Sequence, residues 1–151
     1  MNATSSGAAD RARDRKNIIR FEDGIYGFES VKEFILLEQD ESHAIWSLQA
    51  ARAPYPSLIV INPFPVFPDY SPVLSPADRE RLGNPKEEDL CFLAVAVIKR
   101  ELKDSVVNLK SPVVVNVPEK LGRQVILEDS SYPVRCKLFQ DAAAGRDSSC
   151  W

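Results

Sequence analysis

Residues 106–116 read Val106-Val107-Asn108-Leu109-Lys110-Ser111-Pro112-Val113-Val114-Val115-Asn116, which places two asparagines and a proline inside a pattern of β-branched residues. β-Branched residues favour strands, whereas asparagine amides compete for backbone hydrogen bonds and proline cannot donate to a strand ladder. We therefore predict two short strands joined by a bend at Pro112. If Asn108 and Asn116 are buried, their amides need partners, and we expect them to bond backbone groups that the bend leaves unpaired.

Short apolar segments separated by turn residues continue on both sides of this stretch. The predicted strands are residues 18–21, 34–38, 45–50, 58–62, 90–98, 105–109, 113–117, 124–127 and 134–138. Eleven prolines discourage long helices, and short strands at even spacing are typical of all-β domains. The sequence therefore predicts an all-β fold, a compact antiparallel β-barrel-like domain. One short helix is expected after Ser75, an N-cap residue followed by Pro76 and ended by Gly83.

The length of 151 residues, 44% of them hydrophobic, predicts one domain with a real core. We assign this domain to residues 18–139. Residues 1–17 lack apolar periodicity and are rich in arginine, so we predict a disordered basic tail, and we predict a second disordered tail at residues 140–151. No secretory apolar region and no run of about 20 apolar residues is present, which favours a cytoplasmic protein without a membrane segment.

The charge of the chain is unevenly distributed. The formal net charge is −3, but residues 10–16 carry four basic and two acidic side chains, so the rest of the chain carries −5. Affinity for nucleic acid depends mainly on lysine and arginine at phosphates, so an acidic body argues against direct DNA or RNA binding. An acidic body suits encounter with a basic protein, although solubility alone explains the same charge.

No pattern in the sequence indicates catalysis or a cofactor. The single histidine, His43, lies beside Asp40 and Glu41, where it is either a general base or simply part of a polar turn. The six glycines form no phosphate-binding pattern, and the three cysteines show no Cys-x-x-Cys spacing. We therefore expect neither an enzyme nor a bound cofactor or metal ion.

The proline-rich segment of residues 62–70, Asn-Pro-Phe-Pro-Val-Phe-Pro-Asp-Tyr, is the main candidate for a binding surface. Its alternating prolines predict an extended chain outside the central strands. Aromatic residues on such a segment are typical of interface cores, but Phe64 and Phe67 fit a plug at the barrel end equally well. The bend at Asn108 is the second candidate, because Lys110 adds a charge there that the fold does not require.

Four motifs in this order resemble the FliW family of bacterial flagellar assembly factors. They are Phe21-Glu-Asp-Gly-Ile-Tyr-Gly-Phe28, Asn62-Pro-Phe64 with Pro68-Asp69-Tyr70, Val107-Asn-Leu-Lys-Ser-Pro-Val113 with Asn116, and Gln124-Val-Ile-Leu127 before Tyr132. The resemblance runs from about Ile18 to Phe139. The chain departs from the family pattern at Tyr26, where proline is usual, and at Ser111, where alanine is common.

The resemblance implies a partner switch that binds two proteins, flagellin and the RNA-binding translational repressor CsrA. When flagellin is secreted, the freed protein binds CsrA and prevents it from repressing flagellin translation. We expect a monomer when the protein is free. The residues predicted to contact partners are Pro63, Phe64, Phe67, Asp69, Tyr70, Asn108 and Lys110.

Two alternatives of other classes remain at this point. A small barrel that binds nucleic acid would stack bases on Phe64, Phe67 and Tyr70. A hydrolase would use His43 as its base.

Overall fold

The computed structural model describes residues 17–39 and 44–139, and within these ranges the chain forms nine strands and one α-helix. The strands are β1 (Ile19–Arg20), β2 (Glu33–Glu38), β3 (Ile45–Ala50), β4 (Ser57–Ile61), β5 (Leu90–Val97), β6 (Val106–Val107), β7 (Val113–Asn116), β8 (Leu121–Gln124) and β9 (Cys136–Lys137). The helix α1 spans Pro76–Arg81, and short 3₁₀ turns span Glu87–Asp89 and Leu102–Asp104. The predicted all-β class is confirmed.

Seven of these strands close into a barrel in the order β1-β2-β3-β4-β5-β7-β8. Strand β5 closes the ring because it pairs with β4 on one side and with β7 on the other. The pairings of the described strands are antiparallel except between β1 and β8, where Arg20 lies opposite Leu121 in parallel orientation. At the C-terminal end of β5, Ala96 and Val97 pair with β6, and β6 in turn pairs with β9.

The barrel wall carries a hydrophobic cluster on each of its faces. Successive side chains of a strand point to opposite faces, so Val113 and Val115 of β7 join the interior cluster while Val114 joins the outer cluster. All four residues of β7 are therefore buried. The outer cluster is completed by residues of the β4–β5 connection, namely Phe67, Tyr70, Leu74 and Leu82. This connection holds the candidate binding segment against the outside of the barrel.

The helix within this connection forms as predicted. The Ser75 side chain accepts a hydrogen bond from the backbone N–H of Asp78 at 3.1 Å, which satisfies one of the free donors of the first turn. Pro76 occupies the first turn, and Gly83 adopts a φ of +84° after the last turn, a conformation that glycine tolerates best.

Most predicted strands are found within one or two residues of their expected bounds, and β3 has the predicted bounds. The predicted strand at residues 124–127 is wrong, because β8 spans Leu121–Gln124. Residues 1–16 and 140–151 of the two predicted tails, and also His43, lie outside the described residues.

Candidate functional site

The segment of residues 62–70 folds into consecutive turns, so the prediction of an extended chain is wrong. The Asn62 Oδ1 accepts from the Phe64 N–H at 3.2 Å, and the Pro63 carbonyl accepts from the N–H groups of Val66 (3.2 Å) and Phe67 (2.8 Å). The Tyr70 N–H then donates to the Phe67 carbonyl at 2.9 Å. The prolines remove only their own donors, and the remaining N–H groups close the turns.

These turns divide the predicted contact residues between core and surface. Pro63, Phe67 and Tyr70 are buried, and Phe67 is only 3% exposed, whereas Phe64 and Asp69 are exposed. Phe67 and Tyr70 are therefore core residues, contrary to the prediction that they offer their rings to a partner. We use the term ridge for the exposed residues of this segment: Phe64, Pro65, Val66, Pro68 and Asp69.

Aromatic contacts support the ridge from below. The Phe64 ring lies 5.9 Å from that of Tyr70 and 6.2 Å from that of Phe92, the latter edge-on. The Tyr70 ring in turn meets Tyr132 at 4.7 Å. Edge-to-face contacts of this kind stabilise aromatic pairs. Of the three rings predicted to stack on bases, Phe67 and Tyr70 are buried and only Phe64 is exposed, so this segment offers a single ring at the surface.

Tyr70 joins the ridge to the bend that follows β6. Its hydroxyl donates to the Leu109 carbonyl at 2.7 Å in a buried hydrogen bond. Burial raises the pKa of the Tyr70 hydroxyl, and the neighbouring Tyr132 raises it further. The phenol is therefore neutral and a donor throughout the physiological range.

We expect Tyr70→Phe to lower the free energy of unfolding by about 1–3 kcal/mol, because the buried Leu109 carbonyl loses its donor. The folded pKa of Tyr70 lies above the unfolded value of about 10, so its contribution is complete below that pH and is lost as the pH rises above it. Urea unfolding between about pH 9 and 11 should show a steeper loss of stability in the wild type than in Tyr70→Phe. Parallel curves would contradict this assignment.

The second candidate site, the bend at Asn108, is held by internal hydrogen bonds. The Asn108 Oδ1 accepts from the N–H groups of Lys110 and Ser111, each at 3.0 Å. The Lys110 ammonium donates to the Ser130 carbonyl at 2.7 Å. The Lys110 ammonium thus has a partner within the fold, while partner contact by Asn108 and Lys110 stays a prediction.

Asn116 is buried and bonds a backbone group, but that group does not belong to the bend, contrary to the prediction; only Asn108 bonds the bend itself. The Asn116 Nδ2 donates to the carbonyl of Leu82 at 2.7 Å, so the side chain caps the end of α1 from the barrel wall. Its Oδ1 has no hydrogen-bond partner among the described residues. Asn116 of strand β7 thus ties the helix to the sheet.

A groove of about 920 Å³ lies next to the ridge and was missed by sequence reasoning. It begins at Ser71, directly after the ridge. The Ser71 N–H donates to the Tyr132 hydroxyl at 2.9 Å. Its lining comes from three distant parts of the chain: Tyr26, residues 71–78 and residues 123–132. Because these parts meet only in the folded barrel, no local motif signals the groove.

Ion pairs stabilise one end of the groove. The Arg123 guanidinium contacts Asp78 at 2.8 Å and also Asp23, which Arg81 approaches at 3.3 Å. Asp78 belongs to α1 and Arg123 to β8, so the network links helix and barrel. Over the described ranges, no group of three or more histidine, cysteine or acidic residues is arranged to hold a metal ion. In the same part of the chain, no helix has the length and apolarity needed to cross a bilayer.

Comparison with known proteins gives a consistent result. The family model described as FliW protein matches residues 3–138. The flagellar assembly factor FliW of Caldicellulosiruptor saccharolyticus is 37% identical over 126 residues, covering 83% of this chain and 82% of that protein. The FliW of Geobacillus thermodenitrificans is 35% identical over 129 residues, covering 85% and 89%. A crystal structure of the flagellar assembly factor FliW superposes with a TM-score of 0.79 at 34% identity, covering 85% of this chain and 89% of that one.

Proposed function

The chain belongs to the FliW family of flagellar assembly factors, and on this premise we propose that it acts by binding two proteins, flagellin and the translational repressor CsrA. It is an adaptor in the cytoplasm and carries out no chemistry of its own. Flagellin occupies the protein until secretion removes it. The freed protein then binds CsrA and relieves the repression of flagellin translation.

The observation that carries this proposal is the family match over residues 3–138, most of the 151-residue chain. Two features of the molecule support it. The chain outside residues 10–16 carries a net charge of −5, which favours encounter with a basic, RNA-binding protein. The ridge adds exposed apolar groups, Phe64 and Val66, beside the exposed carboxylate of Asp69, a composition that suits a protein interface.

Calorimetric titration of the purified chain with flagellin, with CsrA and with both together tests the proposal. We expect a saturable complex with each partner, and we expect the chain to release CsrA-bound RNA without binding RNA itself. Addition of flagellin should reduce the amount of chain available to CsrA. Absence of binding to both partners at concentrations of tens of micromolar would reject the proposed function.

We predict that Phe64→Ala and Asp69→Lys each weaken at least one of these complexes by about 10-fold, which corresponds to about 1.4 kcal/mol. Phe64 would lose an apolar contact, and Asp69→Lys would place a positive charge against a basic partner. Tyr55→Ala is the matched control, since Tyr55 is an exposed aromatic residue in the β3–β4 hairpin. Affinities within twofold of wild type for both ridge variants would exclude the ridge from the interface.

A further inference from the structure

The groove next to the ridge has a strand edge along its side. After β8 the chain continues beside the bend, where the Val125 N–H donates to the Pro112 carbonyl at 3.0 Å and the Leu127 N–H donates to the Lys110 carbonyl at 2.9 Å. In an antiparallel ladder the backbone groups of alternate residues face opposite sides. The N–H groups of Gln124 and Ile126 therefore point away from β7.

No strand of the described part of the chain pairs with this edge, and its one occupied group is the Ile126 carbonyl, which accepts a hydrogen bond from the Glu128 N–H at 3.0 Å. Strand β1 runs beside β8 only as far as the pairing of Arg20 with Leu121, and the chain then turns away, with the Phe21 N–H donating to the Lys32 carbonyl. The Ile126 N–H makes no backbone hydrogen bond in the described ranges, and the register of β8 with β7 turns the Gln124 N–H away from β7. Unpaired edges of this kind are where an additional extended chain adds to a sheet.

Apolar side chains line the groove on both sides of the edge. Tyr26 is 54% exposed, Val73 is 80% exposed and Ile126 is 43% exposed. The Tyr26 N–H donates to the Gln124 Oε1 at 3.0 Å, which holds the Tyr26 loop beside the edge. Three exposed apolar groups around one groove provide contacts for the alternating side chains of an extended peptide.

The charge of the groove is negative at the end where the edge stops. The charge of Arg123 is offset by Asp78 at 2.8 Å. Glu128 and Asp129 are exposed and form no ion pair with any residue in the described ranges. A basic side chain in an incoming segment can therefore pair with these carboxylates, next to the Lys110 ammonium that is bound to the Ser130 carbonyl.

We propose that this groove binds an extended segment of a protein partner, which adds as a strand along residues 124–126. Its apolar side chains pack on Tyr26, Val73 and Ile126, and a basic side chain lies at Glu128 and Asp129. A helical segment would leave the edge unpaired, so the free donors favour an extended occupant. This inference rests on the proposed function, because it assigns a surface to one of the partners bound there.

Amide hydrogen exchange, measured by NMR on the free chain and on its complexes with flagellin and with CsrA, tests the strand addition. In the free chain the amides of Val125 and Leu127 should already exchange slowly, and those of Gln124 and Ile126 quickly. In one of the complexes we expect exchange at Gln124 and Ile126 to slow by about 10-fold or more. Slowing that depends on the concentration of the chain alone would show self-association instead and would overturn the proposal.

Charge variants test the side-chain contacts. Val73→Lys and Glu128→Lys should each weaken the same complex by about 10-fold, and the loss at Glu128→Lys should shrink as the salt concentration rises. Val117→Lys is the matched control, because Val117 is exposed in the β7–β8 turn and does not line the groove.

Two outcomes separate this inference from the proposed function. If the wild type binds a partner but Val73→Lys binds equally well, or the edge amides are not protected, only the strand addition in the groove is rejected. If the wild type binds neither partner, the proposed function fails and this inference with it.

Discussion

Phe67→Ala should lower the free energy of unfolding by about 3–5 kcal/mol, the range found when a buried phenylalanine is truncated. Phe67 is 3% exposed and packs in the outer hydrophobic cluster with residues of β5, β6 and β7. Its removal leaves a cavity between the barrel wall and the β4–β5 connection. Urea unfolding followed by tryptophan fluorescence measures the loss, and a domain of this size is expected to unfold in a cooperative transition.

Val66→Ala is the matched control, since Val66 precedes Phe67 in the same turn but is exposed. We expect Val66→Ala to change the free energy of unfolding by less than about 0.5 kcal/mol. A loss below about 1 kcal/mol in Phe67→Ala would contradict the position of this ring in the core. The outcome also matters for function, because reduced partner binding by Phe67→Ala would report unfolding and not a lost contact.

The inward position of Phe67 illustrates what could not be predicted from the sequence. Alternation along a strand shows which side chains face the core, but residues 62–70 form turns, in which no fixed period relates neighbouring side chains. The sequence shows that this segment contains two phenylalanines and a tyrosine, but not which of these rings are buried. Only the fold decides that Phe64 faces outward and Phe67 inward.

Elements with strong local signals were predicted well. From Trp46 onward β3 alternates apolar and polar residues, β5 is a continuous apolar run, and α1 has a serine cap, a proline in its first turn and a glycine after its last turn. These signals depend on residues a few positions apart, so they can be recognised without knowledge of the tertiary contacts. A backbone partner for the buried Asn116 amide was also predicted, but the Leu82 carbonyl that it finds lies at the end of α1 and not in the bend.

The groove and strand β8 could not be predicted from local signals. Tyr26, Val73 and Ile126 are each unremarkable in their local sequence. They line one groove because α1 and the Tyr26 loop both contact β8, through Asp78 with Arg123 and through Tyr26 with Gln124. Leu121-Gly122-Arg123-Gln124 has the composition of a turn, yet it forms a strand because β1 and β7 lie on either side of it. Tertiary pairing thus overrides local preference at this position.

Gly122→Ala is expected to reduce the free energy of unfolding by about 1–3 kcal/mol or more, the cost of overpacking a filled core. A Cβ atom at Gly122 would lie 2.6 Å from Cε1 of Phe21 and 2.8 Å from its Cε2. Gly122 is not among the glycines with positive φ, so its backbone conformation is open to alanine and the cost is steric. Thermal and urea unfolding of the variant measure the loss.

The Phe21 ring has little room to move away from such a Cβ atom. It is fully buried in the interior cluster, and its ring meets Phe34 edge-on with the centroids 5.1 Å apart. Phe21→Leu removes the ring carbons that would clash, so Gly122→Ala should cost much less in a Phe21→Leu background than in the wild type. A double-mutant cycle with a coupling energy above about 0.5 kcal/mol would establish that β8 contains glycine here because the ring of Phe21 lies against its backbone. Additive losses would show that the clash is relieved elsewhere and that the strand tolerates a side chain at this position.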